Sequence, residues 1–286
     1  MTKENQQQKN LNDFRLEIDK IDQKILQLLQ ERVQVVKKVA KFKEENKEKF
    51  FIKSAREADM IKNLIKLDTG FSKSAILKIW RTIITSANLL EQPIRAVICN
   101  PENIADYKYL VKSYYLDILP IIELESANNV ILEIEKNPEQ VAVFPVPTEN
   151  KVEENWWLNL ANNKFGLKIF AKIPFIHDEE LNHELFLSAV KKPEKSSADN
   201  SLMVVEINKS FGKNDLIRSI NNCKISAKIL KSFSAKQYGE IEFYLVETDG
   251  FYDLHDEKLI NLCKEKISPF IRIIGYYPKQ ICNSAT

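Results

Sequence analysis

Along the first part of the chain, apolar residues recur at Leu11, Phe14, Ile18, Ile21, Ile25, Leu28, Val35, Val39 and Phe42. Steps of three and four alternate in that series, which is the seam of a heptad pattern. It predicts one long helix of about 35 residues, roughly 50 Å from end to end. A helix of that length cannot bury its stripe against itself. It needs two further helices, predicted near 54–68 and 73–91, and a second chain. A polar break at Glu44–Lys49 separates the first helix from the second, and Thr69–Gly70 separates the second from the third.

Proline and glycine then divide the chain. No proline precedes Pro93 and Gly70 is the only earlier glycine, whereas nine prolines and five glycines follow. Residues 1–93 therefore read as one helical unit. Beyond it, strands are predicted at Ile94–Asn100, Leu116–Leu124, Gln140–Val146 and Leu167–Ile176, with helices near 102–114, 126–137 and 153–162. This makes an α/β unit over 94–192. Lys191–Asn200 (KKPEKSSADN) reads as a linker. Residues 200–286 follow as strand, helix, strand, strand, helix, strand, the βαββαβ order of the ferredoxin-like plan. The predicted architecture is thus multidomain: an all-α three-helix unit, an α/β region and a ferredoxin-like domain.

Composition adds a few bounds. Of 286 residues, 44% are hydrophobic and 29% charged, as in soluble globular proteins. No apolar run reaches the roughly 18–20 residues of a membrane span, and the N-terminus (MTKENQQQKN) lacks the apolar core of a signal peptide, so a cytoplasmic protein without membrane association is expected. Cys99, Cys223, Cys263 and Cys282 are far apart and contain no CxxC pair, which favours free thiols over a zinc site or a disulfide frame. His177 and His183 have no acidic or cysteine partner at ligand spacing, and His255 is expected in solvent, so neither a metal nor a cofactor is predicted. The net charge of +2 conceals an imbalance. Residues 1–95 carry 20 Lys and Arg against 13 Asp and Glu, a net of +7, and the remainder has 22 against 27, a net of −5. The first unit is therefore expected to handle an anion. Nucleic acid is a poor fit, because no basic cluster is interleaved with aromatic residues.

Particular side chains sharpen that expectation. Arg32 stands between Leu28 and Val35 where the seam calls for an apolar residue, and a buried guanidinium needs an anion. A core salt bridge or a stem that reaches back to water would also explain it. Lys43 lies eleven residues on, about 20° around the helix and about 16 Å along it, so the two project from one face. Arg15 is about 100° off that face and about 25 Å away. It could reach the site of a partner chain in an antiparallel dimer, or it could simply pair with Asp19 in solvent. On the second helix Glu57 shares the apolar stripe of Met60, Ile61, Leu64 and Ile65, with Arg56 beside it. On the third, Trp80, Ile83, Ile84, Ala87 and Leu90 form the apolar face and Glu91 follows Ala87 by one turn. Each feature alone reads as capping or core detail. Together they aim more charge inward than a small helical core holds without a polar ligand.

The segments FRLEIDKIDQKILQLLQERVQVVKKVAKFK, SAREADMI and IWRTIITSANLLEQ resemble the all-helical class of chorismate mutase over residues ~8–92. The shared elements are the early arginine, the LLxxR segment, the lysine eleven residues later and the RE pair opening the second helix. The resemblance implies the Claisen rearrangement of chorismate to prephenate in a homodimer with shared sites, and no cofactor. It implies Arg15 as the arginine donated across the dimer, Arg32 and Lys43 as ligands of the substrate carboxylates and ether oxygen, and Arg56 and Glu57 as the RE pair, Glu57 accepting the substrate hydroxyl. Glu91 stands where relatives donate a hydrogen bond to the ether oxygen. Two positions depart from the pattern: Lys53 replaces an acidic residue near the hydroxyl site, and Ala87 replaces a serine of some relatives.

The second half resembles prephenate dehydratase followed by an ACT regulatory domain, in the order of the bifunctional chorismate mutase–prephenate dehydratases. The resemblance implies a shortened, degenerate copy. Where that family has a catalytic Thr-Arg-Phe, this chain aligns only as Glu184-Leu185-Phe186, and the effector motifs read FGKNDL and Lys231-Ser232-Phe233-Ser234. Three functions are therefore carried forward: a mutase whose dehydratase activity is lost, a bifunctional enzyme, and a non-catalytic helical sensor of a dicarboxylate.

Overall fold

The computed structural model describes residues 3–46, 52–148, 155–177 and 183–281. Helix α1 runs over Lys3–Glu45, 43 residues and so longer than the seam alone predicts. The extension consists of good helix formers with no glycine or proline to stop it. Helix α2 (Ser54–Leu64) is shorter than expected, and Asp68 Oδ1 accepts the Gly70 N–H in the turn that follows. Helix α3 (Lys73–Glu91) starts at Ser72, whose Oγ accepts the Ala75 N–H at 3.2 Å. It ends as Gln92 turns extended ahead of Pro93. The C-terminal part of α1 packs on α3. Its N-terminal part leaves Leu11, Phe14, Ile18, Ile21, Ile25 and Leu28 each at least half exposed. The polar break falls partly at 47–51, outside the described residues.

Beyond Pro93 come β1 (Ala96–Cys99), α4 (Ala105–Tyr115), β2 (Ile121–Leu124), α5 (Ala127–Lys136), β3 (Val141–Pro145), α6 (Trp156–Asn162), β4 (Leu167–Ile173) and β5 (Leu185–Val190). Then follow β6 (Asp199–Asn208), α7 (Lys213–Asn222), β7 (Ala227–Phe233), β8 (Ile241–Asp249), α8 (Glu257–Cys263) and β9 (Phe270–Pro278). The nine strands among the described residues form one sheet in the order β2-β1-β3-β5-β4-β9-β6-β8-β7. β1 pairs in parallel with β2 and β3, and β5 is antiparallel to both β3 and β4. β6, β8 and β7 form an antiparallel set against β9, built by the anticipated βαββαβ succession.

Strands such as β1 and β3 are apolar at every position because helices cover both faces. On one face α2, α3 and α4 share a core with the sheet, including Ile61, Ile84, Leu110, Ile98 and Leu187. On the other, Trp156 and Trp157 of α6 and Val130 and Ile134 of α5 pack with Phe144, Phe186 and Tyr277. Helices α7 and α8 cover β6, β8 and β9 around Met203, Val205, Ile220 and Leu259.

Two readings need correction. Leu185–Val190 is a strand that the alternation search misses, because it is buried on both faces and has no polar-apolar period. The second helix of the βαββαβ unit is short, only Glu257–Cys263. Lys191–Asn200 is not a free linker. The Lys191 amine donates to Ile52 O at 3.0 Å and to Ser54 Oγ at 3.1 Å, and Ser197 N–H donates to Asp59 at 3.0 Å. Burial pulls the Lys191 amine below the usual lysine range, against the opposite pull of Glu194. The segment is a strap that ties α2 to the sheet.

Candidate active site

Helices α1, α2 and α3 enclose a cavity of about 350 Å³, within the range of small-molecule sites. Arg32, Lys43, Lys53 and Arg56 line it, together with Glu57 and Glu91. Four cations against two carboxylates leave a formal net of +2 facing a space walled otherwise by Val35, Val36, Val39, Met60, Ile84 and Ala87. Six of the seven site residues expected from the sequence therefore meet in one place. The seventh, Arg15, is exposed on α1 well before Arg32 and does not line the cavity.

Each functional side chain is placed by helix periodicity. Arg32 and Lys43 share a face of α1 after three turns, and Val36 and Val39 between them supply the apolar floor. Lys43 Nζ donates to Glu91 Oε2 at 2.6 Å, and both side chains are below one-tenth exposed. Glu57 accepts at both oxygens. Arg81 Nη1 reaches its Oε2 and Asn88 Nδ2 its Oε1, each at 3.1 Å. Lys53 is 3.5 Å from Glu194 in the strap. Ala87 is buried and brings only a methyl group to the wall.

Arg81 and Asn88 are the residues that the sequence reading overlooks. The signal was present: Arg81 precedes Ile84 by three and Asn88 by seven, so all three lie on one stripe. The predicted face of Trp80, Ile83, Ile84, Ala87 and Leu90 holds at Ile84 and Ala87, which are buried, but not at Leu90, which is 52% exposed, and it leaves out Arg81, which is 3% exposed.

Elsewhere, His177 Nδ1 lies 3.9 Å from Glu184 and His183 Nε2 lies 3.7 Å from Asp106. Among the described residues no group of three or more His, Cys, Asp or Glu is placed to hold a metal. Cys99, Cys223 and Cys263 form no disulfide with one another, and Cys282 lies outside the described residues. No described helix is long and apolar enough to cross a membrane.

Residues 14–92 match the family model of chorismate mutase type II. The N-terminal helices are thus a chorismate mutase domain, and its span contains every residue that lines the cavity. The chain is 27% identical over 151 residues, 51% of its length, to the bifunctional chorismate mutase/prephenate dehydratase of Pseudomonas aeruginosa. It is 25% identical over 148 residues, 50% of its length, to the protein of the same description from Aquifex aeolicus. The chain spans 40% of the length of each of these relatives. Among solved structures, prephenate dehydratase from Streptococcus mutans aligns with a TM-score of 0.46 at 14% identity, covering 65% of this chain and 98% of that one.

Proposed function

We propose that the protein is a chorismate mutase, an isomerase that converts chorismate to prephenate in aromatic amino acid biosynthesis. The observation that carries this reading is the cavity in which Arg32 and Lys43 face the carboxylates Glu57 and Glu91. The rearrangement is intramolecular: the ether C–O bond breaks as a C–C bond forms, and no group leaves. It needs no nucleophile. A catalyst has to hold the folded conformer and stabilise negative charge growing on the ether oxygen. Arg32 binds a substrate carboxylate, Lys43 and Glu91 face the ether oxygen, Arg56 adds positive charge at the mouth, and Glu57 accepts the substrate hydroxyl. Mixing the purified chain with chorismate and following chorismate loss and prephenate gain tests the assignment. Saturable binding without turnover would favour the dicarboxylate sensor instead.

The region beyond Pro93 is read as a degenerate dehydratase followed by an ACT-like domain, without dehydratase activity. At the position of the missing threonine, Glu184 is held 2.9 Å from Lys172 Nζ, and Leu185 and Phe186 are buried in β5. Phenylpyruvate formation from prephenate would overturn this part.

The exposed apolar seam of α1 supports a homodimer in which Arg15 completes the partner's site. Inactive Arg15→Ala and Arg32→Ala chains, unfolded and refolded together, should then regenerate activity, because one site of the mixed dimer carries both lesions and the other neither. Heterodimers without activity would exclude Arg15 from the partner's site.

Glu91 gives a pH prediction. A carboxyl group donates a hydrogen bond only when protonated, whereas an amide donates at any pH. If Glu91 donates to the ether oxygen, kcat/KM should fall with rising pH. Glu91→Gln should flatten that fall and preserve activity at higher pH. Superimposable profiles for the two proteins would remove Glu91 from the donor role.

A further inference from the structure

Arg81 poses a problem that its own helix does not solve. It is 3% exposed, and a guanidinium cannot shed its charge at any ordinary pH. It has one carboxylate, Glu57, at 3.1 Å, and its Nε makes no hydrogen bond among the described residues. The rest of the group faces two aromatic rings, and the Tyr114 hydroxyl also hydrogen-bonds it. The guanidinium carbon lies 3.9 Å from the centre of the Tyr114 ring and 5.4 Å from that of Phe175. Tyr114 belongs to α4, and Phe175 follows β4. Neither is part of the three-helix unit. Ring faces attract a desolvated cation more strongly than an exposed one, so these two residues offset part of the burial cost that a single ion pair leaves. Burial raises the Tyr114 hydroxyl to about 12, against the pull of Arg81, so the ring stays neutral beside Glu57.

Arg81 and Asn88 in turn fix both oxygens of Glu57 and leave the remaining lone pairs of the carboxylate for a ligand. We propose that Arg81 is a positioning residue for Glu57, and that Tyr114 and Phe175 hold Arg81 in place, so that the sheet region sets the affinity of the helical site for the substrate hydroxyl. The inference rests on the mutase reading above and extends it: the second half of the chain supplies part of the support on which the first half's site depends.

The test is steady-state kinetics of the full chain with chorismate. Tyr114→Leu should raise KM about tenfold and leave kcat within about twofold, the pattern of a lost binding contact. Tyr114→Phe keeps the ring face but loses the hydroxyl that hydrogen-bonds Arg81, so it should raise KM clearly less than Tyr114→Leu. Phe175→Leu, whose ring is farther away, should raise KM less. Arg81→Lys keeps the charge but loses the fork and the stacking, and should raise KM as well. A role in folding alone would lower the active fraction, seen as kcat, and leave KM where it was. In a Glu57→Gln background Tyr114→Leu should raise KM no further, since both changes act through one carboxylate. Should Tyr114→Leu fail to fold, Phe175→Leu and Arg81→Lys carry the test. An unmoved KM in those variants, or a full additional increase on top of Glu57→Gln, overturns the assignment while wild-type turnover keeps the mutase reading intact. Absence of chorismate turnover in the wild-type chain overturns both.

Discussion

Replacing Arg32 or Lys43 by alanine is expected to lower kcat/KM for chorismate by about 10²–10³, the loss that follows removal of one preorganised charge-stabilising donor. The two cations enter the cavity from one face of α1, Arg32 half-buried and Lys43 buried. Removing either leaves a dianionic substrate with one fewer fixed positive charge in a space partly withdrawn from water, where such charges act most strongly. Lys43→Ala also strips a cation from Glu91, whose side chain is only 8% exposed, so a stability loss has to be separated from a catalytic one. Lys43→Gln separates them. It keeps a hydrogen-bond donor for Glu91 without the charge, so it should fold like the wild type and still lose most of the activity. Thermal melting beside initial rates measures both. Near-normal turnover in Arg32→Ala and Lys43→Ala would end the assignment of this cavity as the mutase site.

The part of this site that could be read in advance is the part that helix periodicity encodes. Arg32 interrupts an apolar seam, and an eleven-residue step returns the chain to the same face, so the pairing of Arg32 with Lys43 follows from geometry alone. Glu57 stood out for the same reason on α2. Arg81 did not, although it shares a stripe with Ile84 and Asn88, because the apolar residues of α3 are ambiguous between two faces. Leu90 widens the apolar face toward solvent, whereas Trp80 packs against the core. What decides between the two faces is the sheet region, which buries Arg81 against Tyr114 across a long sequence separation. No local pattern contains that contact.

The same limit applies to the fold. Strands covered on both faces lose the period of two that marks half-buried ones, so β5 carried no alternation and vanished beside the lysines that follow it. Lys191–Asn200 has the composition of a linker, yet Lys191 and Ser197 fasten it to Ile52, Ser54 and Asp59. Composition reports solvent preference averaged over a segment, and two well-placed donors suffice to override it. The union of both strand sets into one sheet was hidden for a related reason. β4 and β9 are joined in register at the single pair Ile169 and Gly275.

That pair makes Gly275→Ala the substitution with the largest expected cost to stability. A methyl group added at residue 275 would lie 2.4 Å from Ile169 Cβ, 2.5 Å from its carbonyl oxygen and 2.8 Å from its Cα. These separations are far inside the roughly 3.5–4.0 Å at which carbon atoms rest, and two of the three atoms are backbone. Rotamer changes cannot relieve them; the strands would have to part. Neither strand is free to slide. β4 is shifted in register against β5 between Ile169 and Ala171, and β6 is shifted against β9 beside Leu202, the partner of Gly275. The junction therefore sits between two irregularities, each pinned by its outer neighbour. An overpacked side chain costs about 1–3 kcal/mol, and a backbone clash should exceed it, so a loss of about 3–5 kcal/mol is expected from urea unfolding. Gly212→Ala is the control: nothing lies within 4 Å of its added methyl, and a loss of about 1 kcal/mol or less is expected from the weaker helix cap. Ile169→Gly should not rescue Gly275→Ala, because it removes only one of the three clashing atoms. Since β9 also packs against α2, the surviving folded fraction of Gly275→Ala should bind chorismate more weakly. Equal unfolding midpoints for Gly275→Ala and Gly212→Ala would show that β4 and β9 are not held at this distance.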